Sequence, residues 1–292
     1  MRKSWRAGGI YGIVFAVTLL CFFYEFSDIK GLFSGMTALA FSLLSATVVL
    51  VHGIKALRLY FALYGSELRL WEYLEVYGLV TPVSVILPWK AGELFRMYGY
   101  GQRIGNGLRG TVTVLFDRFV DTAALVTLLL LLRLLTGGRL TPLLFLFLVF
   151  LFGAVVCFFV FPGVYRFWHR YLLRADATEH RLWGLKLLHS LEMVYREIED
   201  VVKGRGLILY VLSLGAWAVE TGSLVLIRRI GEESAGEVVS AYLSAAMGGI
   251  KSLELSRFIF VSVAALLAME LVLQAGKRLG CGLSGVGKGA GE

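Results

Sequence analysis

Two heptapeptides in this sequence carry the same three charged residues at the same spacing. They are KAGELFR and KSLELSR, and their charged residues are Lys90, Glu93, Arg96, Lys251, Glu254 and Arg257. Residues three apart lie on one face of a helix, so each carboxylate can pair with either neighbouring cation. We call each set of three charged residues a ladder. The cations of a ladder favour an anionic ligand such as phosphate, above all where a helix N-terminus adds backbone N–H groups.

A third group of charges opens an apolar stretch. Asp117 and Asp121 are four residues apart, so they share one helical face, and Arg118 stands beside them. We predict that Arg118 neutralises Glu93, or that one aspartate pairs with Arg96. The alternative is that the aspartates stabilise a helix N-terminus, which accounts for Asp117 better than for Asp121.

A lone carboxylate, Glu220, interrupts the apolar segment LGAWAVETGSLVLI. A charge at the centre of a bilayer costs about 2.5–3.5 kcal/mol on insertion scales, so a charge kept there is a candidate for function. Glu220 is predicted to be a proton or cation site, or a partner for Arg257 or Lys251.

The composition indicates a polytopic membrane protein. Hydrophobic residues make up 58% of the 292 residues, mean hydropathy is +0.74 and only 17% are charged, which a soluble domain of this length would not tolerate. The net charge of +8 comes from basic residues that flank apolar runs, a pattern typical of membrane topology and not of nucleic-acid binding. The three cysteines and four histidines have neither C-x-x-C nor metal-ligand spacing, so we expect no metal site and no cofactor.

Six apolar segments are predicted to span the membrane, and two more are interrupted. The six are 9–24, 33–51, 111–132, 142–161, 207–227 and 256–274. The interrupted segments, 73–97 and 238–254, contain Pro82 and Pro88, or Gly248 and Gly249, followed by charges. Prolines or glycines before charges are typical of re-entrant or broken helices. Pro88 suits the first turn of a helix, and the glycines allow close approach of a ligand or a neighbouring helix.

The distribution of basic residues predicts both termini in the cytoplasm. The order span, interrupted segment, span then occurs twice with opposite orientation, over 33–132 and 207–274, as in transporters built from inverted repeats. Region 164–206 is predicted to be a basic connector on the cytoplasmic face, with an amphipathic helix as one alternative and a plain linker as the other. The expected fold is all-α, with a single membrane domain over 1–280 and a flexible glycine-rich tail over 281–292.

The charged motifs resemble those of the lysylphosphatidylglycerol synthase transmembrane-region family. PWKAGELFR is similar to the family's P-x-K-x-G-E-x-x-R at Pro88, Lys90, Gly92, Glu93 and Arg96. DRFVD is similar to its [ED]-R-x-x-D. MGGIKSLE is similar to its P-G-G-x-G-x-x-E, except that Met247 and Lys251 replace a proline and a glycine. The resemblance implies a lipid flippase and leaves the lipid open, since relatives are associated with phospholipids and with polyprenyl-phosphate sugars.

The leading hypothesis is therefore a translocase in the plasma membrane for a lipid with an anionic phosphate headgroup. The four cations of the two ladders would contact the phosphate, with Arg118 assisting, and Glu93 and Glu254 would exchange pairing as access changes. The first alternative is a membrane enzyme that binds Mg²⁺ through Asp117 and Asp121 and acts on a lipid phosphate. The second is a non-transporting subunit that recruits a partner synthase or glycosyltransferase through region 164–206.

Overall fold

The computed structural model of the chain describes residues 2–65, 68–87, 91–136, 141–174, 179–228, 235–246 and 252–286. Ten helices lie within these residues. They are α1 (Arg2–Glu25), α2 (Ile29–Phe33), α3 (Ala38–Ala62), α4 (Leu70–Ile86), α5 (Ala91–Ile104), α6 (Gly107–Thr136), α7 (Pro142–Leu173), α8 (Glu179–Arg228), α9 (Ala235–Ala246) and α10 (Leu253–Val286).

The protein is an all-α polytopic membrane protein, as the sequence predicted. Within the described residues, three helical segments are long and apolar enough to cross a bilayer, namely Ala38–Ala62, Pro142–Leu173 and Leu182–Ile227. The C-terminal part of α1, Gly12–Glu25, is apolar as well. The predicted span 111–132 lies inside α6, whose 30 residues are long enough to cross but include the charged DRFVD motif.

Several helices begin at polar residues that the sequence places next to apolar runs. Thr37 accepts a hydrogen bond from Ala40 N at the start of α3, and Thr141 does the same for Leu144 N at the start of α7. Ser252 Oγ accepts from Leu255 N at the start of α10. These side chains satisfy backbone N–H groups that have no partner within the helix, so they fix where each helix starts.

The first interrupted segment forms an antiparallel helical hairpin of α4 and α5. Tyr73 in α4 stacks on Tyr100 in α5 at 5.9 Å between ring centroids, and Arg103 lies 3.6 Å from Glu75. The helices have 17 and 14 residues, about 25 Å and 21 Å at 1.5 Å per residue, so each is shorter than the roughly 30 Å apolar core of a bilayer.

Gly92 brings the two helices of this hairpin together near its tip. A Cβ added at Gly92 would lie 2.7 Å from Ser84 N, and closer still to the carbonyl oxygen of Val83. Because both neighbours are backbone atoms of α4, they cannot rotate away. The glycine that belongs to the charged motif is therefore required by the packing of α5 on α4.

We expect Gly92→Ala to lower the free energy of unfolding by about 1–3 kcal/mol, since the added methyl group overpacks the hairpin. Gly153→Ala is the matched control, because a Cβ at that helical glycine meets no atom within 4 Å. The control should be neutral or more stable, since alanine favours a helix. Thermal unfolding in detergent measures both, and equal stabilities for the two variants would contradict the close packing at Gly92.

Region 164–206 contains the end of one helix and the beginning of another. α7 continues to Leu173, and α8 is one helix of 50 residues that begins at Glu179 and contains the amphipathic stretch. The two helices run antiparallel, with Phe161 stacked on Tyr195 at 4.9 Å and Tyr165 donating to Glu192 at 2.6 Å. The described residues of the connector, 164–174 and 179–206, thus extend two long helices.

At the C-terminal end of the chain, α10 continues to Val286, so residues 281–286 of the predicted tail are helical. Residues 287–292 lie outside the described part of the chain.

Candidate functional site

The site is centred on Arg58 in α3, whose side chain is 2% exposed. Its Nε donates to Asp117 Oδ1 at 2.7 Å and its Nη2 donates to Asp117 Oδ2 at 3.0 Å. Its Nη1 donates to Asp121 and to Ser213 of α8. Every nitrogen of this guanidinium is therefore engaged. Arg58 ties α3 to α6 through a bidentate ion pair with Asp117 and to α8 through its hydrogen bond to Ser213.

Arg96, from α5, reaches the same carboxylate with looser geometry. Its Nη2 lies 3.8 Å from Asp117 Oδ2 and its Nη1 lies 3.8 Å from Glu93 Oε2, both too long for hydrogen bonds. Among the described residues, Arg96 Nε and Nη1 have no hydrogen-bond acceptor, although the side chain is only 2% exposed. A buried guanidinium with two idle donors is costly for a protein to keep, which marks it as a ligand-binding candidate.

Arg118, the neighbour of Asp117 in α6, is the more exposed arginine that joins these charged side chains. Its Nε lies 3.0 Å from Glu93 Oε1, its Nη1 lies 3.9 Å from Asp121, and its side chain is 39% exposed. The two pairings predicted from the sequence, Arg118 with Glu93 and an aspartate with Arg96, are both present.

We refer to these six side chains as the charge network; they are Arg58, Glu93, Arg96, Asp117, Arg118 and Asp121. Three are cations and three are carboxylates, so the formal charge is zero, and exposure rises from Arg58 and Arg96 to Arg118. Helical spacing aligns Glu93 with Arg96 on α5 and Asp117 with Asp121 on α6. The ion pairs between the two helices show that these two short motifs face each other.

A separate ion pair joins α3 to α8 and α9. Lys55 Nζ lies 3.2 Å from Glu220 Oε2, and the hydroxyl of Tyr242 donates to Glu220 Oε1. The ammonium group also lies 5.0 Å from the ring centroid of Trp217 and 5.9 Å from that of Phe258, within the range of cation–π attraction. Glu220 is thus paired with Lys55 and not with Arg257, one of the two cations predicted for it from the sequence.

The charges of the second ladder lie in a different environment. Arg257, in the first turns of α10, donates from Nε to the carbonyl oxygen of Leu32 at 2.7 Å and from Nη2 to that of Ser34 at 3.4 Å. Glu254 lies near enough to Tyr242 to interact with it electrostatically. The other predicted site residues in these two motifs, Pro88, Lys90, Gly248, Gly249 and Lys251, lie outside the described residues.

Sequence reasoning missed Arg58, Lys55, Ser213 and Tyr242 as site residues. The predicted span 33–51 ends too early, because Lys55 and Arg58 themselves lower the local hydropathy and so fall after its end. The available signal was their spacing of three residues within an otherwise apolar helix, which continues to Ala62. Nothing in the sequence around Ser213 or Tyr242 distinguishes them from other polar residues of apolar helices.

Metal binding is not favoured at the two aspartates. A hard divalent cation needs several carboxylate or carbonyl oxygens, but the guanidinium of Arg58 occupies the space between Asp117 and Asp121 and binds both. In the described part of the chain, no three His, Cys, Asp or Glu side chains are grouped closely enough to hold a metal ion.

Comparison with known families gives a match over most of the chain. The family model for the lysylphosphatidylglycerol synthase TM region matches residues 9–253, which include every residue of the charge network and the pair of Lys55 and Glu220. No curated protein and no solved structure matches the chain.

Proposed function

The chain belongs to the lysylphosphatidylglycerol synthase TM region family, and on that premise we propose that it moves a phosphate-bearing lipid headgroup across the membrane. The family is one of membrane domains from lysylphosphatidylglycerol synthases and flippase-like proteins. Beyond membership of this family, we propose the activity, which is transport, and the chemistry of the transported group, which is a phosphate-bearing headgroup. The lipid would be a phospholipid or a polyprenyl-phosphate sugar in the plasma membrane.

The observation that carries this proposal is the state of Arg96. Two of its guanidinium nitrogens lack an acceptor among the described residues, and both nearby carboxylates are 3.8 Å away. A phosphate oxygen is a strong acceptor that matches the planar fork of a guanidinium. Binding of a headgroup phosphate would therefore satisfy donors that the folded chain leaves idle.

Glu93 gives this site a way to bind and release its ligand. It lies between Arg96 and the more exposed Arg118, at 3.8 Å and 3.0 Å. A phosphate that enters beside Arg118 would compete with the Glu93 carboxylate for both cations. In the empty site, the Glu93 carboxylate offsets the positive charge of the two arginines. Displacement of Glu93 admits the phosphate, and the return of Glu93 expels it.

The hairpin of α4 and α5 would line the route along which the headgroup crosses the membrane. It is too short for either helix to cross the bilayer fully, so we infer that it is re-entrant and brings Glu93 and Arg96 to membrane depth. The acyl or polyprenyl chains would stay in the lipid phase while only the headgroup passes along polar side chains. Both termini would lie in the cytoplasm.

The second ladder and the pair of Lys55 and Glu220 would line the other half of the route. Lys251, Glu254 and Arg257 are proposed to receive the phosphate from the opposite leaflet, as expected for broken helices that meet near the midplane. Proton coupling, if the transport is driven, would use Glu93, Glu220 or Glu254.

We prefer transport to catalysis because Arg58 already binds both aspartates of the charge network. An enzyme that used Asp117 and Asp121 to bind Mg²⁺ would have to displace Arg58, which engages both of them and is buried with them. The proposed route uses these carboxylates only to orient arginines.

The test is reconstitution of the full chain in liposomes with fluorescent lipids in both leaflets. A membrane-impermeant quencher then reports how much lipid reaches the outer leaflet. We expect transfer of lipids that carry a phosphate headgroup and no acceleration for an uncharged diacylglycerol probe, measured by the rate of quenchable fluorescence. The panel should include phosphatidylglycerol, an aminoacylated phosphatidylglycerol and a polyprenyl-phosphate sugar.

Protein-free liposomes set the background rate. Transfer at background rates for every phosphate-bearing lipid would overturn the proposal, and so would equal acceleration of the diacylglycerol probe. Chemical turnover of a lipid phosphate that depends on added Mg²⁺ would favour the enzyme alternative.

A further inference from the structure

Buried polar atoms close to Arg96 have hydrogen-bonding capacity that the charge network does not use. Among the described residues, Nε2 of His52, Oγ1 of Thr81 and the hydroxyl oxygen of Tyr100 have no hydrogen-bond partner. All three atoms are shielded from solvent, and the residues Thr81 and Tyr100 are 4% and 0% exposed. A buried polar group without a hydrogen bond costs free energy to keep, so each of these atoms calls for an explanation.

Contacts between α3, α4 and α5 bring these atoms into one region. His52 Nδ1 lies 3.2 Å from the hydroxyl oxygen of Tyr77. Thr81 follows Tyr77 by one turn of α4, and their side chains lie close together. Arg96 is near enough to His52 and Tyr77 to interact with both electrostatically. It interacts in the same way with Tyr100, one turn further along α5. We call the four uncharged side chains the polar cluster; they are His52, Tyr77, Thr81 and Tyr100.

The hydrogen bonds already present around the polar cluster leave these three atoms out. His52 and Tyr77 meet through Nδ1 and the tyrosine hydroxyl, and Nε2 of the imidazole takes no part. The hydroxyl of Tyr100 lies beside Tyr73 without hydrogen-bond geometry, while the hydroxyl of Tyr73 donates to the carbonyl oxygen of Ala56 at 2.6 Å. A ligand can therefore bond to the polar cluster without breaking a hydrogen bond that the fold uses.

Charges of both signs lie close to the polar cluster, so it favours a neutral polar group. Lys55 and Arg96 are close to His52, while Asp117 is close to Tyr77. The two cations would repel an ammonium group, and the carboxylate would repel a second anion. A hydroxyl group carries no charge and can both donate and accept, so it matches a ring nitrogen or another hydroxyl in either role.

We propose that the polar cluster binds the hydroxyl groups of the headgroup whose phosphate Arg96 binds, so that the protein selects lipids with a polyol headgroup. This inference rests on the proposed function, because it places the phosphate at Arg96. The chemistry that the cluster recognises is a phosphodiester with hydroxyl groups on the carbons beyond it. A terminal glycerol and a sugar ring both provide it. A lipid without these hydroxyls leaves buried polar atoms unpaired, which is what makes the site selective.

The experiment measures lipid affinity of the purified full chain in detergent by native mass spectrometry. Phosphatidylglycerol is compared with phosphatidylpropanol, which has the same phosphodiester charge and three headgroup carbons but no hydroxyl. Phosphatidylglycerol is expected to bind about 10–100-fold more tightly, since each of its two hydroxyls adds a hydrogen bond that contributes about 3–10-fold. A second pair, a polyprenyl-phosphate hexose and a polyprenyl methyl phosphate, tests the sugar in the same way. The pair with the larger ratio identifies which polyol the cluster fits.

Thr81→Val and Tyr100→Phe each remove one idle hydroxyl and keep the shape of the side chain. Each is expected to weaken binding of the preferred polyol lipid about 3–10-fold and to leave its hydroxyl-free analogue unchanged. The ratio of the two affinities is the decisive readout, because a general loss of folding weakens both lipids alike. Thr47→Val is the matched control: this buried threonine of α3 already donates to the carbonyl oxygen of Leu43 at 2.9 Å, so both affinities should stay unchanged.

Equal affinities within both lipid pairs for the unmodified protein would overturn the proposal. So would Thr81→Val and Tyr100→Phe variants that weaken both members of a pair to the same extent, or a control that loses the preference as they do. Liposome transfer separates this inference from the proposed function. A binding preference without transfer of any phosphate-bearing lipid would overturn translocation and keep the polar cluster as a lipid-binding site. Transfer of both members of each pair at equal rates, with equal affinities, would do the reverse.

Discussion

Replacing Arg58 with methionine is expected to lower the free energy of unfolding by about 3–5 kcal/mol, the range for breaking a buried ion pair by removing one partner. The substitution leaves Asp117 and Asp121 buried without the cation that binds them both. Arg58→Lys should recover only part of this loss, because an ammonium group cannot reproduce the bidentate contact with Asp117. Chemical unfolding of the purified protein in detergent measures the change.

Two further variants identify the cause of that loss. Combining Arg58→Met with Asp121→Leu removes one cation and one carboxylate, so the remaining charges of the network balance and Asp117 keeps Arg96 at 3.8 Å. This double variant should restore much of the stability, since apolar groups can replace a buried ion pair at little cost. Lys203→Met removes a cation from an exposed pair with Glu199 and should leave stability unchanged within error. If the double variant were as unstable as Arg58→Met alone, uncompensated charge would not be the cause.

Arg96→Gln is expected to slow lipid transfer in liposomes by about 10–100-fold while the protein remains folded. The loss corresponds to one charge-assisted hydrogen bond to phosphate, worth about 1.5–3 kcal/mol. Folding should be retained because each neighbouring carboxylate keeps another cation: Asp117 is bound by Arg58, and Glu93 lies 3.0 Å from Arg118. Initial rates with the best phosphate-bearing lipid of the panel measure the effect.

Arg103→Gln is the matched control for this prediction. It removes an arginine from the same helix, α5, at a position where the side chain is 44% exposed and pairs with Glu72 and Glu75. The control should transfer lipid at the unmodified rate. Equal rates for Arg96→Gln and the unmodified protein, with both folded, would remove Arg96 from the proposed route.

Much of the secondary structure follows from local sequence. The apolar run after Thr141 and Pro142 forms α7 from the predicted residue, because a threonine cap and a proline in the first turn both favour a helix start. The break between α4 and α5 falls within the predicted interrupted segment. Both features depend on neighbours in the chain, which is why a single sequence suffices to predict them.

The helix ends were less predictable where charges lie inside a helix. α3 continues past Lys55 and Arg58 to Ala62, although the predicted span stops at residue 51. At the end of α3, Arg205 of α8 donates to the carbonyl oxygens of Phe61 and Tyr64 at 3.0 Å and 2.8 Å. A hydropathy pattern registers the cost of a charge but not the distant partner that offsets it.

The sequence by itself determined that this is an all-α membrane protein and that Glu93 shares a helix face with Arg96, as Asp117 does with Asp121, because their spacing is three or four residues. Only the tertiary structure decided how the charges pair. Arg58 joins the site from 59 residues away, and Lys55 reaches Glu220 across 165 residues. Electrostatic pairing depends on distance in space, and in a bundle of helices that distance is set by which faces pack together.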